Sequence, residues 1–586
     1  MKAQDSPIKS ILEGSKSFII PIFQRGYRWT SVGKDKDLTV GKFWEDLRSV
    51  IQGDETNHFF GSLVTQSLDS NASDVTKYII IDGQQRMITT VLLLCALRDT
   101  CDPKVPEELE ESKTIDDNYI KNVHRKGDNL FKIIPSSDER ENFFAIVELP
   151  EKRISFPELN RNNFGKVYNY YKSNIKELLS ENSEGTRLDN IKKIVNAILN
   201  QFVIVDVKLD ANEDPYSVFE SLNTTGMDLT NWDLIKNYIL MKFKDQEYQK
   251  QMNDQYFYEI ENVLDNIDRT KIKDEFMRHF LGSYGIITTS NKIYSTTKNS
   301  IESEKLKSSQ NGINTYENFM IELKRVSKYY AKIYNPDLEE DDEIRLQLSN
   351  LKQFPYTVHY PLLIEIFRSY ENQRIDQQTM SNAIKFIETY ILRKVVTDQR
   401  LQGLNKLFPT LSEEIKNVEE HQLLPAIQEK LSKGNYIIPS DSELKMAIKT
   451  NKLDKDPDLA KYILYNIERS LNKEVGVLAM FQLEHIFPQN PDEDCKSYYA
   501  EDFNEFNDTL KHLLGNLTLT AYNSELSNKS FDEKLNMTNG YMDSGLKITR
   551  GLSNYDKWNK QSYEERSEWL YSKIIEIWPI SKSYVC

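Results

Sequence analysis

The residues from Asp82 to Arg86 have the types and spacing of an anion-binding helix start. Residues 78–81 predict a buried strand, and the apolar-rich residues 83–97 predict a helix. Asp82 is predicted to cap this helix, with Gln85 completing an Asp-x-x-Gln capping box. Free N–H groups at a helix start favour phosphate, and the Arg86 guanidinium suits phosphate oxygens. Alternatively, Asp82 only caps the helix and Arg86 only pairs with an acid.

A loop rich in donors and aromatic rings precedes that junction. It follows a short strand at residues 17–20, and residues 21–29 combine a glutamine, two arginines, a proline, a glycine and three aromatic residues. Such a loop has the hydrogen-bond donors and flat surfaces that hold a nucleotide or a nucleic-acid backbone. The alternative places Phe23, Tyr27 and Trp29 in the core and the arginines on the surface.

Near the C-terminal end an acid stands directly before a histidine, as Glu484-His485. Gly-Asn-Leu follows at residues 515–517, and then come Asn523 and Asn528. Histidine titrates near neutral pH and suits general-base chemistry, whereas carboxylate and amide oxygens suit a hard divalent ion. A histidine standing alone is more often structural, but this one belongs to an ordered series. The six other histidines have no comparable setting.

Strands and helices must position these groups. Residues 58–66 and 202–207 predict further strands, so the first part of the chain is expected to be an α+β domain. Thr230 and Asp233 predict a second capping box. The loop at residues 223–230 either carries function or is a helix–loop–helix corner, and the residues alone do not decide between the two.

The rest of the chain predicts mainly helices. Residues 240–440 show apolar positions at helical spacing, which is typical of a helical spacer. Residues 558–578 predict a packing helix whose aromatic side chains clasp the C-terminal domain. We therefore expect three domains, at residues 1–240, 241–440 and 441–586.

Composition narrows the class of protein. The chain has 586 residues, a net charge of −15 and a pI near 5.3, which argues against a nucleic-acid coat protein and against binding to anionic membranes. Its four cysteines form no Cys-x-x-Cys pair, so neither a disulfide framework nor a structural zinc is indicated. We expect a cytoplasmic protein, because no apolar run approaches a membrane span and the N-terminus lacks the apolar core of a signal peptide.

The sequence resembles the GmrSD-type restriction proteins at both ends. The C-terminal acid–His, Asn and second Asn series resembles the ββα-metal (HNH) nuclease domain of that family, and residues 399–408 are similar to its helical connector. Four N-terminal motifs occur in the family's order: Ile22-x-Gln24-Arg25-x-Tyr27-x-Trp29, Gly61-Ser62, Asp82-Gly83-Gln84-Gln85-Arg86, and Phe219-Glu220-x-Leu222-Asn223-x-x-Gly226-x-x-Leu229-x-x-x-Asp233-Leu234-Ile235-Lys236.

This resemblance implies an α+β, ParB/sulfiredoxin-like N-terminal domain that binds and hydrolyses an NTP, namely ATP, GTP or UTP. No Walker A loop is present, so the nucleotide must be held in another way. Asp82 and Arg86 are expected to act in hydrolysis. The expected nucleotide-binding residues are Gln24, Arg25, Tyr27, Asp82, Gly83, Gln84, Gln85, Arg86 and Asn223.

At the C-terminal end the resemblance implies a metal-dependent nuclease. His485 is expected to be the general base, and Asn516 is expected to tie the loop between the strands so that His485 is oriented. Glu484 and Asn523 are candidate metal ligands, with Asn528 as a rival for the second position. The metal is expected to be Mg²⁺, because phosphodiester hydrolysis builds charge on hard oxygens.

The function implied is a type IV, modification-dependent DNA endonuclease of antiviral defence. Its substrate would be double-stranded phage DNA with modified bases, and nucleotide would control cleavage. The alternative is a nucleotide-responsive, ParB-like DNA-binding regulatory protein that does not cut. HNH sites cut one strand each, so a homodimer is a further hypothesis.

Overall fold

A computed structural model of the chain describes residues 2–22, 24, 26–29, 40–68, 75–150, 162–181, 185–210, 213, 218, 230–243, 245–267, 271–303, 315–399, 403–472, 474–476, 478–491 and 493–580. The chain forms two compact units, Met1–Phe257 and Tyr258–Cys586. The finer division into three domains stays a prediction.

The first unit is built on a mixed six-stranded sheet. The strands are β1 Lys2–Pro7, β2 Lys16–Ile19, β3 His58–Ser67, β4 Thr76–Asp82, β5 Ile133–Ile134 and β6 Phe202–Leu209. They lie in the order β1-β6-β3-β4-β2-β5. β3 is antiparallel to β4 and parallel to β6, and Asp82 at the end of β4 pairs with Val64 of β3. The middle of β3 therefore lies beside the junction that follows β4.

Helices cover this sheet. They are α1 Ile8–Leu12, α2 Val40–Gln52, α3 Gln84–Arg98, α4 Pro106–Ile115, α5 Ser137–Val147, α6 Asn163–Glu181, α7 Arg187–Asn196, α8 Asn231–Leu240 and α9 Gln246–Met252. Every residue of α3 except Arg86 is buried, because this helix is apolar on nearly all sides. The predicted α+β class is confirmed, as are the strands predicted at residues 58–66, 78–81 and 202–207.

The start of α3 differs from the prediction. Gly83, not Asp82, is the N-cap, and no side chain caps the helix. Gly83 has φ +94°, a left-handed conformation that glycine adopts without strain, so β4 can continue through Asp82 before the chain turns. The capping box of Asp82 and Gln85 was therefore a wrong prediction. The one at Thr230 is confirmed, since Thr230 Oγ1 accepts a hydrogen bond from the backbone N–H of Asp233 (3.1 Å).

The second unit is mainly helical, as predicted for its first part. Its helices are α10 Tyr258–Asp265, α11 Ile272–Gly282, α12 Ile293–Glu302, α13 Thr315–Tyr334, α14 Asp342–Lys352, α15 Tyr360–Glu371, α16 Gln377–Val396, α17 Leu404–Ile415, α18 Glu420–Lys430, α19 Asp441–Thr450, α20 Pro457–Leu471, α21 Glu493–Tyr499, α22 Phe503–Asp508, α23 Asn523–Leu526, α24 Phe531–Asn536, α25 Lys547–Arg550 and α26 Lys560–Ile577. None of the helices in the described residues is long and apolar enough to cross a bilayer.

A small antiparallel hairpin lies among the last of these helices. It consists of β7 Gln482–His485 and β8 Leu517–Thr520, with His485 opposite Leu517. The predicted C-terminal packing helix is α26, and both Trp558 and Trp578 at its ends are buried. Trp558 contacts the loop of the hairpin, whereas the backbone carbonyl of Trp578 accepts a hydrogen bond from Arg393 of α16 (2.8 Å). The C-terminal packing helix therefore contacts the helices of the predicted spacer as well as the hairpin.

Candidate functional site

The start of α3 brings an acid and an arginine together at the surface. Arg86 donates a hydrogen bond to the backbone carbonyl of Ser62 (2.8 Å), and its guanidinium lies 3.7 Å from the Asp82 carboxylate. The Ser62 hydroxyl donates to that same carboxylate (3.1 Å). The side chains of Arg86 and Asp82 are 28% and 36% exposed. A cationic group therefore sits half in solvent beside a helix N-terminus, which is an arrangement that attracts anions.

Two glycines permit this close packing. Gly61 has φ +97°, and a Cβ placed on it would lie 2.8 Å from Nε of Arg86. A Cβ on Gly83 would lie 2.8 Å from the backbone carbonyl of Ser62. The contact at Gly83 is with backbone, so Gly83 is needed for the approach of β3 to α3, whereas at Gly61 the side chain of Arg86 would have to shift.

Two of the predicted binding amides, those of Gln24 and Gln85, contact protein backbone. Gln24 is buried and donates to two successive carbonyls of β4, at 2.7 and 2.9 Å. Gln85 accepts from the backbone N–H of Arg28 (2.8 Å) and donates to the carbonyl of Gly26 (3.2 Å). These contacts fasten the donor-rich loop to β4 and α3. The two amides therefore support the site by holding this loop in place.

Tyr27 is part of the core. Its hydroxyl lies 2.7 Å from Thr89 Oγ1, and its ring stacks on Phe164 with the centroids 5.2 Å apart. Burial raises the pKa of Tyr27 above its ordinary value. Its backbone N–H donates to the Glu139 carboxylate (2.8 Å). These contacts agree with the alternative interpretation, in which Tyr27 belongs to the hydrophobic core.

The other predicted nucleotide-binding residues divide into two groups. Gln84 is buried in the first turn of α3. Arg25 and Asn223 lie outside the described residues. The structure thus brings together Asp82, Gly83 and Arg86 at one surface, with Ser62 as a contact that the sequence analysis did not assign.

Asn516 locks the segment that follows His485. Its side-chain amide is fully buried; it accepts from the backbone N–H of Phe487 (2.8 Å) and donates to the carbonyl of Phe487 (3.0 Å). The indole N–H of Trp558 donates to the same side-chain oxygen (3.1 Å). Because the side chain bonds to both backbone groups of one residue, it fixes how the chain leaves β7. Asn516 therefore ties the segment after β7, and its role in orienting His485 stays a prediction.

Glu484 is turned away from solvent. It is 3% exposed, and its Oε1 accepts hydrogen bonds from Lys534 Nζ (2.7 Å) and from the Tyr541 hydroxyl (3.0 Å). Burial raises the pKa of Glu484, and the two donors oppose that shift. Neighbouring side chains on a strand point to opposite faces, so this carboxylate lies on the face of β7 opposite His485.

The His485 imidazole is half-buried at the end of β7. Its Nε2 lies 3.2 Å from the side-chain amide of Gln489 and 3.7 Å from Oδ2 of Asp454. Burial lowers the pKa of His485 to about 4, and this effect outweighs the nearby Asp454 charge. The imidazole is therefore neutral at physiological pH, which is the form that can accept a proton.

Comparison with known proteins agrees with both regions. Residues 8–240 match the N-terminal domain of the GmrSD restriction endonuclease, and residues 438–573 match the C-terminal domain of the GmrSD restriction endonucleases. The chain belongs to the GmrSD restriction endonuclease family. Membership makes it a DNA endonuclease of the type IV restriction class, and makes DNA its substrate. No curated protein matches the chain closely enough to count as a relative.

The predicted metal ligands of this GmrSD protein differ in how available their oxygens are to a divalent ion. Asn523, half-buried at the start of α23, and Asn528, exposed after it, make no side-chain hydrogen bond within the described part of the chain. Their amide oxygens are therefore available as hard ligands. Glu484 is less accessible, because it is buried and its Oε1 accepts hydrogen bonds from Lys534 and Tyr541; its role as a ligand stays a prediction. Within the described ranges, no three His, Cys, Asp or Glu side chains are grouped closely enough to hold a metal ion.

Two residues of the GmrSD site were missed by sequence reasoning. Asp454 precedes α20, and its Oδ2 lies 2.5 Å from Nδ1 of His512 as well as 3.7 Å from Nε2 of His485. His512 therefore does have a setting comparable to that of His485, contrary to the expectation for the other histidines. Neither residue belongs to a local motif, so only the packing of α20 on the hairpin reveals them.

Proposed function

We propose that this GmrSD chain cuts double-stranded phage DNA carrying modified bases, with an NTP at the start of α3 controlling an HNH-type site at His485. The observation that carries the proposal is the neutral, half-buried His485 on a strand end that Asn516 locks through two hydrogen bonds. An imidazole that is fixed in place and in reach of solvent has the geometry that general-base catalysis needs.

In this mechanism His485 accepts a proton from the water that attacks the phosphodiester. Asn516 keeps the imidazole oriented through the turn at Phe487. The amide oxygen of Asn523, or that of its rival Asn528, would be a ligand of a divalent cation, and Mg²⁺ is favoured because these donors are oxygens. When bound, such an ion supplies stabilisation of the charge that develops on the phosphate oxygens and on the leaving oxygen.

At the other end of the chain, the N-terminus of α3 and Arg86 receive the phosphates of ATP, GTP or UTP. The guanidinium is held by the Ser62 carbonyl and by Asp82, so it is oriented before the ligand binds. The Asp82 carboxylate lies 3.7 Å from the Arg86 guanidinium, and Asp82 is the residue proposed to act in hydrolysis. Gln24 and Gln85 support the site by fixing the loop behind it.

The test is a cleavage and NTP-hydrolysis assay on modified and unmodified phage DNA, with and without Mg²⁺ and each NTP. We expect His485→Ala to lower cleavage by about 10²- to 10⁴-fold, and Arg86→Ala to abolish NTP hydrolysis. The matched controls are His421→Ala and Arg48→Ala, which change exposed side chains of the same types. Unchanged cleavage in His485→Ala would refute the nuclease assignment, and unchanged hydrolysis in Arg86→Ala would refute the nucleotide site.

The internal ion pair of Glu484 favours one alternative. Because Lys534 occupies this predicted ligand, the C-terminal unit could bind DNA without cutting it, and the protein would then act as a nucleotide-responsive, ParB-like regulator. The same assay separates the two functions. A regulator would retain nucleotide-dependent DNA binding and show no Mg²⁺-dependent cleavage of any substrate.

A further inference from the structure

A buried carboxylate lies between two imidazoles beside the hairpin. Asp454 lies in the helical turn Leu453–Lys455, and its side chain is 7% exposed. Its Oδ2 accepts a hydrogen bond from Nδ1 of His512 (2.5 Å) and lies 3.7 Å from Nε2 of His485. Its Oδ1 is buried and has no hydrogen-bond partner in the part of the chain that the structure describes. The carboxylate is thus incompletely satisfied, and both imidazoles approach its other oxygen, Oδ2.

Desolvated carboxylate oxygens require donors, and His512 supplies only one. Nε2 of His485, 3.7 Å from Oδ2, is a further donor beside this carboxylate, provided that this nitrogen carries the proton. A lone pair on Nε2 would instead face the negative carboxylate, which is unfavourable. The carboxylate therefore selects the His485 tautomer with its proton on Nε2.

The amide of Gln489 accommodates the same tautomer. Its nitrogen lies 3.2 Å from Nε2 of His485, and a half-turn of the amide places Oε1 there instead. Two oxygens then face the Nε2 proton. Nδ1 of His485 makes no hydrogen bond within the described ranges, so it is the nitrogen left to act as a base.

We propose that Asp454 is a positioning residue, which holds His485 in the Nε2–H tautomer so that Nδ1 accepts the proton of the attacking water. This inference rests on the proposed nuclease function and adds a residue to it. The proton moves from water to Nδ1, and the hydroxide formed attacks phosphorus as the leaving oxygen departs. His512 holds Asp454 through a hydrogen bond from its Nδ1 to the same oxygen, Oδ2. The geometry is that of a carboxylate behind a catalytic imidazole.

The kinetic test uses the full-length protein under single-turnover conditions with saturating Mg²⁺ and end-labelled substrate DNA. We expect Asp454→Asn to lower the cleavage rate constant by about 10²- to 10⁴-fold, with DNA affinity unchanged. Asp454→Glu should recover part of the rate, since it restores the charge. Asp458→Asn removes an equivalent charge from an exposed position in the same segment and should match the wild type.

Two kinetic outcomes would overturn the proposal. One is wild-type cleavage by Asp454→Asn. The other is a loss that higher Mg²⁺ restores, because that result would make Asp454 a metal ligand and not a positioning residue. Circular dichroism melts of each variant show whether a lost rate reflects lost folding.

A spectroscopic test does not depend on cleavage. In protein labelled with ¹⁵N-histidine, the His485 signals are assigned by their loss in His485→Gln. We expect a protonated Nε2 and an unprotonated Nδ1 in the wild type, and a shift toward the other tautomer in Asp454→Asn. An unchanged tautomer would refute the pairing of Asp454 with His485. If His485→Ala cleaved DNA normally while this shift occurred, the nuclease assignment would fail and the pairing would stand.

Discussion

Glu484 and His485 are neighbours in the chain but have opposite surroundings. The carboxylate is buried with Lys534, whereas the imidazole is half-buried beside the carboxylate of Asp454. The alternation of side chains along a strand produces this separation. An acid–His pair in a sequence therefore does not place both groups in one site when the pair lies on a strand.

The ion pair of Glu484 makes a prediction at the level of one residue. Glu484→Gln leaves the buried charge of Lys534 without a counter-ion, so we expect the free energy of unfolding of the second unit to fall by about 3–5 kcal/mol. Chemical denaturation followed by tryptophan fluorescence measures this change. The structure attributes the effect to packing, and added Mg²⁺ should not reverse it.

The matched control replaces both members of the pair. A Glu484→Gln/Lys534→Met variant removes the unpaired charge, and we expect it to regain most of the lost stability. If Glu484→Gln instead kept wild-type stability and lost only Mg²⁺-dependent cleavage, Glu484 would be a metal ligand in the working enzyme. That result would contradict the internal role assigned to it.

Residue types predicted the position of Arg86 beside the helix start, but they did not predict the contacts of the two glutamines. Arg86 lies where a phosphate-binding arginine was predicted, whereas Gln24 and Gln85 bond to backbone. A glutamine amide donates and accepts equally well to a nucleotide or to a peptide group. Its partner is set by tertiary packing, which a linear sequence does not contain.

Among the structural elements, the junction of β4 and α3 makes the clearest prediction. Gly83→Ala forces a left-handed conformation on alanine and places its Cβ 2.8 Å from the Ser62 carbonyl, which is backbone and cannot move aside. We expect a loss of at least about 1–2 kcal/mol in the stability of the first unit. NTP affinity should fall as well, because the N-terminus of α3 shifts. Thermal unfolding and equilibrium nucleotide binding measure the two effects.

Gly14→Ala is the control for backbone strain. Gly14 has φ +84°, but a Cβ there would meet nothing within 4 Å. We expect Gly14→Ala to lower the stability of the first unit only through backbone strain, and to leave nucleotide binding unchanged. Equal effects of Gly14→Ala and Gly83→Ala on both measurements would show that the contact with Ser62 has no role.

Periodicity predicted the main elements because strands and helices repeat over short distances. The strands around residues 58–66 and 202–207 were found in this way, as was the capped start of α8 at Thr230. The cluster of Asp454, His485 and His512 could not be predicted from periodicity, since α20 and the hairpin meet only through tertiary packing. The start of α3 was misplaced by one residue, because aspartate and glycine are both favourable N-caps.

At the scale of the whole molecule, the two proposed activities belong to different compact units. The arginine site lies within residues 1–257, and His485 lies within residues 258–586. Each chain carries one such histidine, so the nuclease site proposed at His485 would cut one strand at a time. Cutting both strands then requires either two successive events or two chains, and a symmetric homodimer is the commonest arrangement of two.

A mixing experiment separates these routes. With supercoiled substrate plasmid at fixed wild-type concentration, excess His485→Ala forms mixed dimers that cut one strand only. We therefore expect nicked circles to accumulate while the linear form is suppressed. If the protein acts as a monomer, the variant only competes for DNA, and nicked and linear products should fall together. Sedimentation showing only monomer, with and without nucleotide and DNA, would also contradict the dimer.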